Sequence, residues 1–249
     1  MDNVQIVTNS DQFMETAVDM ILRAASAACR ARGRFSLVLS GGHTPQPIYK
    51  RLASPALANR IQWDCIHLFW GDERAVPADD ELSNVNMVRQ SLLNNIPIPA
   101  ENIHPPRGDI DPRLAAWLYE EDLRAFFKDQ PDAQGNQPNL DLVLLGLGDD
   151  GHTASLFPGS PALCETERWV VAVEHNTPPP PLVPRLTLTL PVINAAKQVI
   201  FLVSGESKAN ILADVFSETC EGLPAQMVKP ANGQLFWLVD QAAASKIDH

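Results

Sequence analysis

A histidine in a glycine-rich loop directly after an apolar run is the residue of this chain best placed for acid–base chemistry. His152 lies in Gly146-Leu147-Gly148-Asp149-Asp150-Gly151-His152-Thr153-Ala154-Ser155-Leu156-Phe157-Pro158-Gly159, and Leu140-Asp141-Leu142-Val143-Leu144-Leu145 precedes it. The apolar run predicts a buried strand, so the glycines begin where that strand stops and His152 falls at its carboxyl end. Ligands of open α/β sheets sit outside such ends, and glycine lets the backbone turn sharply and approach them closely. Asp149 and Asp150 stand within three residues of His152. One carboxylate can hold one imidazole nitrogen while the other nitrogen faces a reacting water, the arrangement of a general base. The same residues also describe an ordinary surface loop, so the choice rests on what else the chain brings to that edge.

Three further stretches place charge or hydroxyls after an apolar run. Phe35 to Leu39 reads as a strand, and Ser40-Gly41-Gly42-His43-Thr44-Pro45 follows it before the helical Ile48 to Leu52. Free backbone N–H groups, a helix dipole and the hydroxyls of Ser40 and Thr44 would suit a phosphate there. A tight strand-to-helix turn capped by Thr44 fits equally well. The stretch lacks the lysine and spacing of a Walker loop and is not Gly-x-Gly-x-x-Gly. Cys65 to Trp70 is another strand, running into Gly71-Asp72-Glu73-Arg74. Arg74 can clamp an anion or an oxyanion, with Asp72 and Glu73 orienting it or a substrate hydroxyl; the alternative is a solvated charged turn. Gln198 to Val203 is a strand, and after it Ser204-Gly205-Glu206-Ser207-Lys208 opens a helix. A lysine in a first helical turn opposes the dipole, which a bound phosphate would offset; otherwise Lys208 is a surface lysine. Gly205-Glu206-Ser207 is not a nucleophile elbow, because Ala209 stands where the second glycine belongs and His249 is the only later histidine.

The elements that must position these residues alternate along the chain. Val4 to Val7 predicts a short edge strand, followed by a helix capped by Ser10 or Asp11 and running to about Arg32, with Phe13, Ala17, Met20, Ile21, Ala24 and Ala28 at helical spacing. Ser83-Asn84 starts a helix through Val88 and Leu92, and Asp109 or Asp111 caps one carrying Leu114, Trp117, Leu118, Leu123 and Phe126. Asp129 to Asn139 reads as a surface loop, Trp169 to Val173 as a strand, and Thr177 to Pro181 as a stiff extended connection. Arg185-Leu186-Thr187-Leu188-Thr189 alternates, so Arg185, Thr187 and Thr189 share one face while Leu186 and Leu188 face the core. Leu235 to Val239 predicts a last strand, with Gln241 to Ile247 a short tail helix. Strands alternating with helices specify an α/β protein.

Composition narrows the partners. A net charge of -11 over 249 residues repels nucleic acid and anionic membrane surfaces, so any anionic ligand is small and held by a local basic site. Cys29, Cys65, Cys164 and Cys220 are far apart, with no Cys-x-x-Cys pair and no Cys/His cluster at zinc spacing, and read as reduced, packed thiols. No apolar window reaches the length of a membrane span and no leader pattern opens the chain, so the expected location is cytoplasmic.

Taken in order, Ser40-Gly41-Gly42-x-Thr44-Pro45, Gly71-Asp72-Glu73-Arg74 with Ser83-Asn84, the Gly146 to Pro158 block, Arg185-x-Thr187-x-Thr189 and Gly205-x-x-Lys208 closely resemble the 6-phosphogluconolactonase family over almost the whole chain. The resemblance implies a Rossmann-like three-layer sandwich, a mostly parallel sheet flanked by helices as in glucosamine-6-phosphate deaminase, with residues 1–249 forming one domain. It implies hydrolysis of a sugar-phosphate lactone in the oxidative pentose phosphate pathway, with no metal and no cofactor. His152 would activate the water and Asp150 would be its partner. Ser40, Gly41, Gly42 and Thr44, with Arg185 and Lys208, would hold the 6-phosphate; Arg74 would sit near the anionic end or the oxyanion, with Asp72 beside it. In the related deaminases a glutamate stands five residues beyond the matching histidine; here that position is Phe157. A deaminase-type activity and a sugar-phosphate-binding module without turnover are the alternatives. A monomer and a weak homodimer both suit these surfaces, and either Pro178 to Pro184 or Asp79 to Leu82 would close over the substrate.

Overall fold

Alternate residues of the central strands serve two different cores, and this divides the fold into layers. The computed structural model describes residues 3–128, 137–217 and 220–247. Its main sheet contains β1 (Val4–Val7), β2 (Phe35–Leu39), β3 (Ile66–Trp70), β5 (Leu142–Leu145), β8 (Gln198–Val203) and β9 (Gln234–Asp240), in the order β1-β9-β8-β5-β2-β3. Every pairing in it is parallel.

On one face Leu37, Leu39, Leu68, Leu142, Leu144, Ile200 and Leu202 pack against α1 (Ser10–Arg32), α2 (Gln46–Leu52) and α4 (Asn84–Ser91). On the other, Val38, Phe69, Val143, Leu145, Val199 and Phe201 pack against α5 (Pro112–Phe127), α6 (Leu190–Asn194) and α7 (Ala209–Phe216). A one-turn helix, α3 (Pro55–Ala58), follows α2. The near-continuous apolar runs follow from this burial on both faces. The α/β expectation holds, with helices on both sides of a parallel sheet.

The second face also carries a three-stranded antiparallel sheet that the sequence reading did not separate from the first. β4 (Asp72–Arg74), β7 (Arg185–Leu188) and β6 (Val170–Val173) line up in the order β4-β7-β6. Gly71 is the hinge between sheets, its N–H bonded to Leu39 O and its carbonyl accepting from Leu188 N. Of the two readings of Gly71-Asp72-Glu73-Arg74 the charged turn fails, since Asp72–Arg74 is a strand. Leu186 and Leu188 face the core as expected, and the opposite face of β7 is buried too, with Arg185 6% and Thr187 1% exposed.

Smaller corrections are local. Asn9 caps α1, its side chain accepting from Gln12 N, rather than Ser10 or Asp11. Gln241 to Ile247 is a series of turns, not a helix, and most of the Asp129 to Asn139 loop lies outside the described residues. Asp111 caps α5 as expected.

The cysteine reading changes most. Cys29 and Cys65 form a disulfide across 36 residues of sequence separation, while Cys164 is exposed and Cys220 half-buried. Parallel pairing explains the approach. Phe35 of β2 lies beside Ile66 of β3, so the end of α1 and the approach to β3 meet at the amino edge of the sheet. There Asp141 also collects Arg32, Lys197 and the amide and hydroxyl of Ser36. In the chain-entropy account, closing a loop of this length stabilises the fold by roughly 3–4 kcal/mol. The bond sits at the edge opposite the His152 loop. Reduction, or Cys65→Ser, is therefore expected to lower the melting temperature by roughly 6–16 °C, given about 2–4 °C per kcal/mol at this size, without changing turnover below the transition. Differential scanning calorimetry with and without reductant checks this.

Candidate active site

All parallel strands of the main sheet deliver their carboxyl ends to one edge, and the loops leaving β2, β3, β5 and β8 carry the residues singled out above. The Gly146 to Pro158 loop leaves β5. Within it Asp150 Oδ1 lies 2.5 Å from His152 Nδ1 and accepts the His152 amide at 3.1 Å, so the carboxylate orients both ring and backbone. Burial raises the Asp150 carboxyl, but the bonds and charge of His152 outweigh it and hold the group below its ordinary value. With Nδ1–H committed to Asp150, Nε2 is the nitrogen left to take a proton. Gly148 is required by close approach, because a Cβ there would lie 2.0 Å from His152 Nδ1.

The two aspartates therefore divide. Asp150 serves the imidazole, while the exposed Asp149 pairs with Lys208 Nζ at 2.6 Å. Lys208 ends the turn Glu206–Lys208 ahead of α7 rather than standing in its first turn. Its partner is 73% exposed, and such a pair contributes little stability, which leaves the ammonium exchangeable toward an incoming anion.

Behind the histidine the loop is locked. Thr153 Oγ1 donates to Gly146 O, Ala154 takes φ 48, and Ser155 Oγ donates to Asp72 Oδ2 at 2.6 Å while its amide donates to Thr187 Oγ1. A positive φ at alanine persists only where the surroundings hold it, and the flanking bonds do so. Phe157 is 9% exposed; its ring lies 4.6 Å from that of His152 and is stacked at 4.0 Å on His175.

Asp72 is shared with the loop after β2. Asn84 Nδ2 donates to Asp72 O and Oδ1, and Gly41 packs so closely on Asn84 that a Cβ would lie 2.0 Å from its Oδ1. Ser40 is held through both backbone groups by the Tyr49 hydroxyl, and a Cβ on Gly146 would lie 3.8 Å from its Oγ. Thr44 makes no cap bond to α2, whose N-cap is Pro45, so the capping role is not adopted. Gly42 turns the loop with φ 89. The Ser40 to Thr44 loop and the His152 loop are thus neighbours.

Glu73 does not face a substrate. It is 1% exposed, and its carboxylate accepts from the amides of Arg74, Asn84 and Val85 and from Ser83 Oγ, at 2.6 to 3.0 Å. Burial pushes its carboxyl up, against the pull of these four donors. It anchors the start of α4, where Ser83 also caps Asn86.

Arg74 and Arg185 stand directly opposite each other on β4 and β7. Arg74 Nη1 donates to Leu82 O, and its Nε is buried without a partner. Arg185 donates through Nε to Val183 O and through Nη2 to Pro181 O. Burial draws Arg185 below its ordinary value, with Asp72 opposing that effect and Arg74 adding to it. Like charges face to face cost stability, which an anion between them would reverse.

Sequence reasoning missed Ser155, Asn84 and Thr187 as parts of this site. Ser155 and Asn84 stood inside quoted motifs, but only their bonds to Asp72 reveal a role. Among the described residues no group of three or more His, Cys, Asp or Glu is arranged to hold a metal ion. A cavity of about 620 Å³ lies elsewhere, lined by Val215, Phe216, Met227 and Trp237.

A family model described as glucosamine-6-phosphate isomerases/6-phosphogluconolactonase matches residues 8–237. A 6-phosphogluconolactonase of Nostoc sp. is 41% identical over 98% of both chains. The structure of 6-phosphogluconolactonase from Trypanosoma brucei superposes with a TM-score of 0.86 at 28% identity, covering 99% of this chain and 98% of that one. A monomeric glucosamine-6-phosphate deaminase shares the fold, with a TM-score of 0.79 at 20% identity over 98% and 99% of the chains.

Two substitutions test the geometry. Gly148→Ala must push the imidazole off Asp150, so the downfield proton signal of the Asp150-bound Nδ1–H should vanish from the NMR spectrum of a folded protein. Glu73→Gln replaces an acceptor of four bonds by a group that must donate, and should cost about 1–3 kcal/mol in denaturant titration.

Proposed function

The chain belongs to the glucosamine-6-phosphate isomerase/6-phosphogluconolactonase family, and we propose that within it the chain works as a lactonase, hydrolysing 6-phosphogluconolactone to 6-phosphogluconate in the pentose phosphate pathway. The observation that carries this reading is the Asp150–His152 pair at the carboxyl end of β5, with a buried phenylalanine where the deaminases carry a second acid.

His152 Nε2 takes a proton from a water as its oxygen attacks the lactone carbonyl. The imidazolium that forms is stabilised by Asp150, which stays ionised. The Arg74 guanidinium, opposite Arg185, supplies positive charge near the oxyanion or the anionic end of the substrate. When the tetrahedral intermediate collapses, the bond between the carbonyl carbon and the ring oxygen breaks, and that oxygen leaves as a hydroxyl with the proton from His152. The new carboxylic acid then ionises and releases the proton that an assay detects. The Ser40 to Thr44 loop, Arg185 and Lys208 hold the 6-phosphate, while Asp72 fixes the walls through Ser155 and Asn84. A lactone is a reactive ester, so positioning with one base, contributing roughly 10²–10⁴-fold, suffices without a covalent intermediate.

Opening an amino-sugar ring and moving a proton at C2 needs more acid–base groups than this loop offers. Phe157 fills that position with a ring packed on two imidazoles. The proposal takes residues 1–249 as one domain acting as a monomer or weak homodimer in the cytoplasm; no helix among the described residues is long and apolar enough to cross a membrane.

Proton release from freshly generated 6-phosphoglucono-δ-lactone, corrected for spontaneous hydrolysis, tests the activity, with ammonia release from glucosamine 6-phosphate measured in parallel. Hydrolysis without ammonia is expected; ammonia would make the chain a deaminase, and silence on both would leave a binding module. His152→Asn should lose roughly 10²–10⁴-fold in kcat and still bind 6-phosphogluconate. Because the base acts unprotonated, kcat/KM of the native enzyme should fall in mild acid. Wild-type turnover in His152→Asn would refute the assignment.

A further inference from the structure

His175 is a buried histidine to which the chemistry above gives no task. It is 3% exposed, its Nε2 lies 2.6 Å from the carbonyl oxygen of Pro179, and its ring is stacked on Phe157 at 4.0 Å and 13°. A carbonyl can only accept, so Nε2 carries the proton and donates.

The Pro179 carbonyl belongs to the strap between β6 and β7, whose tip, Leu182, is 51% exposed. The strap is tied at three places. His175 holds Pro179 O, Ala75 N donates to Pro184 O, and between them Pro181 O and Val183 O accept the two bonds from the Arg185 guanidinium. Arg185 is therefore aimed by carbonyls that are themselves fixed on either side. Pro178 to Pro181 have no N–H with which to pair to a neighbouring strand, so side-chain donors are what can fasten this backbone.

The geometry points to His175 as a positioning residue for substrate binding: it clamps the strap whose carbonyls orient Arg185 toward the substrate's phosphate. The proposal rests on the reading of Arg185 as a phosphate ligand. His175 acts on the binding step and not on the proton transfer. Its contact with the base runs only through the Phe157 ring, which a phenylalanine at position 175 would still support.

His175→Phe is the test, because it keeps a ring of similar size against Phe157 and removes only the donor. The expected result is a KM for the lactone raised roughly three- to tenfold, the loss of about one hydrogen bond, with kcat and the acid limb of the pH profile unmoved. Hydrogen exchange at the Val183 amide, which donates to Pro181 O, should speed up in the same variant. In the Arg185→Met background, where the strap has nothing left to aim, His175→Phe should raise KM no further. A wild-type KM in folded His175→Phe, or an equal rise in both backgrounds, overturns the proposal. If Arg185→Met itself leaves KM unchanged, the phosphate reading has failed and the clamp with it; if it raises KM and His175→Phe does not, the clamp alone has failed. Should Arg185→Met not fold, KM and exchange in the single variant decide.

Discussion

One buried carboxylate holds the walls of this site together. Glu73, on a three-residue strand, takes four donors from the start of α4 and from its own neighbour. A carboxylate out of water is tolerable only when its oxygens are this fully used. The satisfied group is also rigid, since each donor belongs to a different residue. It fixes Asn84, which packs on Gly41 and bonds Asp72; Asp72 bonds Ser155, and Ser155 sits three residues after His152. The Ser40 to Thr44 loop after β2 and the His152 loop after β5 are thus held in register by a residue buried in the core. Enzymes place reacting groups within fractions of an ångström, and a chain of short bonds rooted in the core is one way to do so.

The two sheets divide the remaining work. The parallel sheet supplies direction, because equal strand polarity gathers four loops at one edge whatever their sequence. The antiparallel sheet supplies charge. Cross-strand pairing puts Arg74 opposite Arg185, and among the described residues neither guanidinium has a carboxylate bonded to it. Backbone carbonyls of two loops hold them apart instead. Carbonyl dipoles satisfy guanidinium donors without neutralising the charge, so the electropositive field survives for a ligand. Lys208 follows another route to the same end, parked on an exposed aspartate from which an anion can draw it.

How much of this is legible in the sequence follows from which interactions are local. The parallel strands are apolar runs of the right length, and His152 and Asp150 are two residues apart, so both are readable. The sequence does not choose between Asp149 and Asp150, because either can reach the imidazole; Lys208, distant in sequence, claims Asp149 and removes the ambiguity. Glu73 is hidden for a similar reason. Three adjacent charges ordinarily mean a solvated turn, and only pairing with β7, more than a hundred residues later, buries the middle one. The same strand pair hides the burial of Thr187, whose alternation with Leu186 and Leu188 otherwise describes a half-exposed strand. Cys29 and Cys65 carry no local signal at all. Their approach is a property of parallel topology.

The ring of Phe157 sets the immediate surroundings of the imidazole. The position lies against the imidazole in a pocket closed by His175 and, at 5.9 Å, the Arg185 guanidinium. A carboxylate there would be drawn to that cation and would neutralise it, while adding a second proton acceptor beside the imidazole. An aromatic ring does neither. It packs against the imidazole without taking a proton, and it presents a weakly negative face to a cation it cannot neutralise. The Arg185 guanidinium keeps its charge, and among the described residues Asp150 is the carboxylate bonded to His152. A base with one carboxylate is what hydrolysis of an activated ester needs, and a second acid would serve only a reaction in which a further proton must be moved.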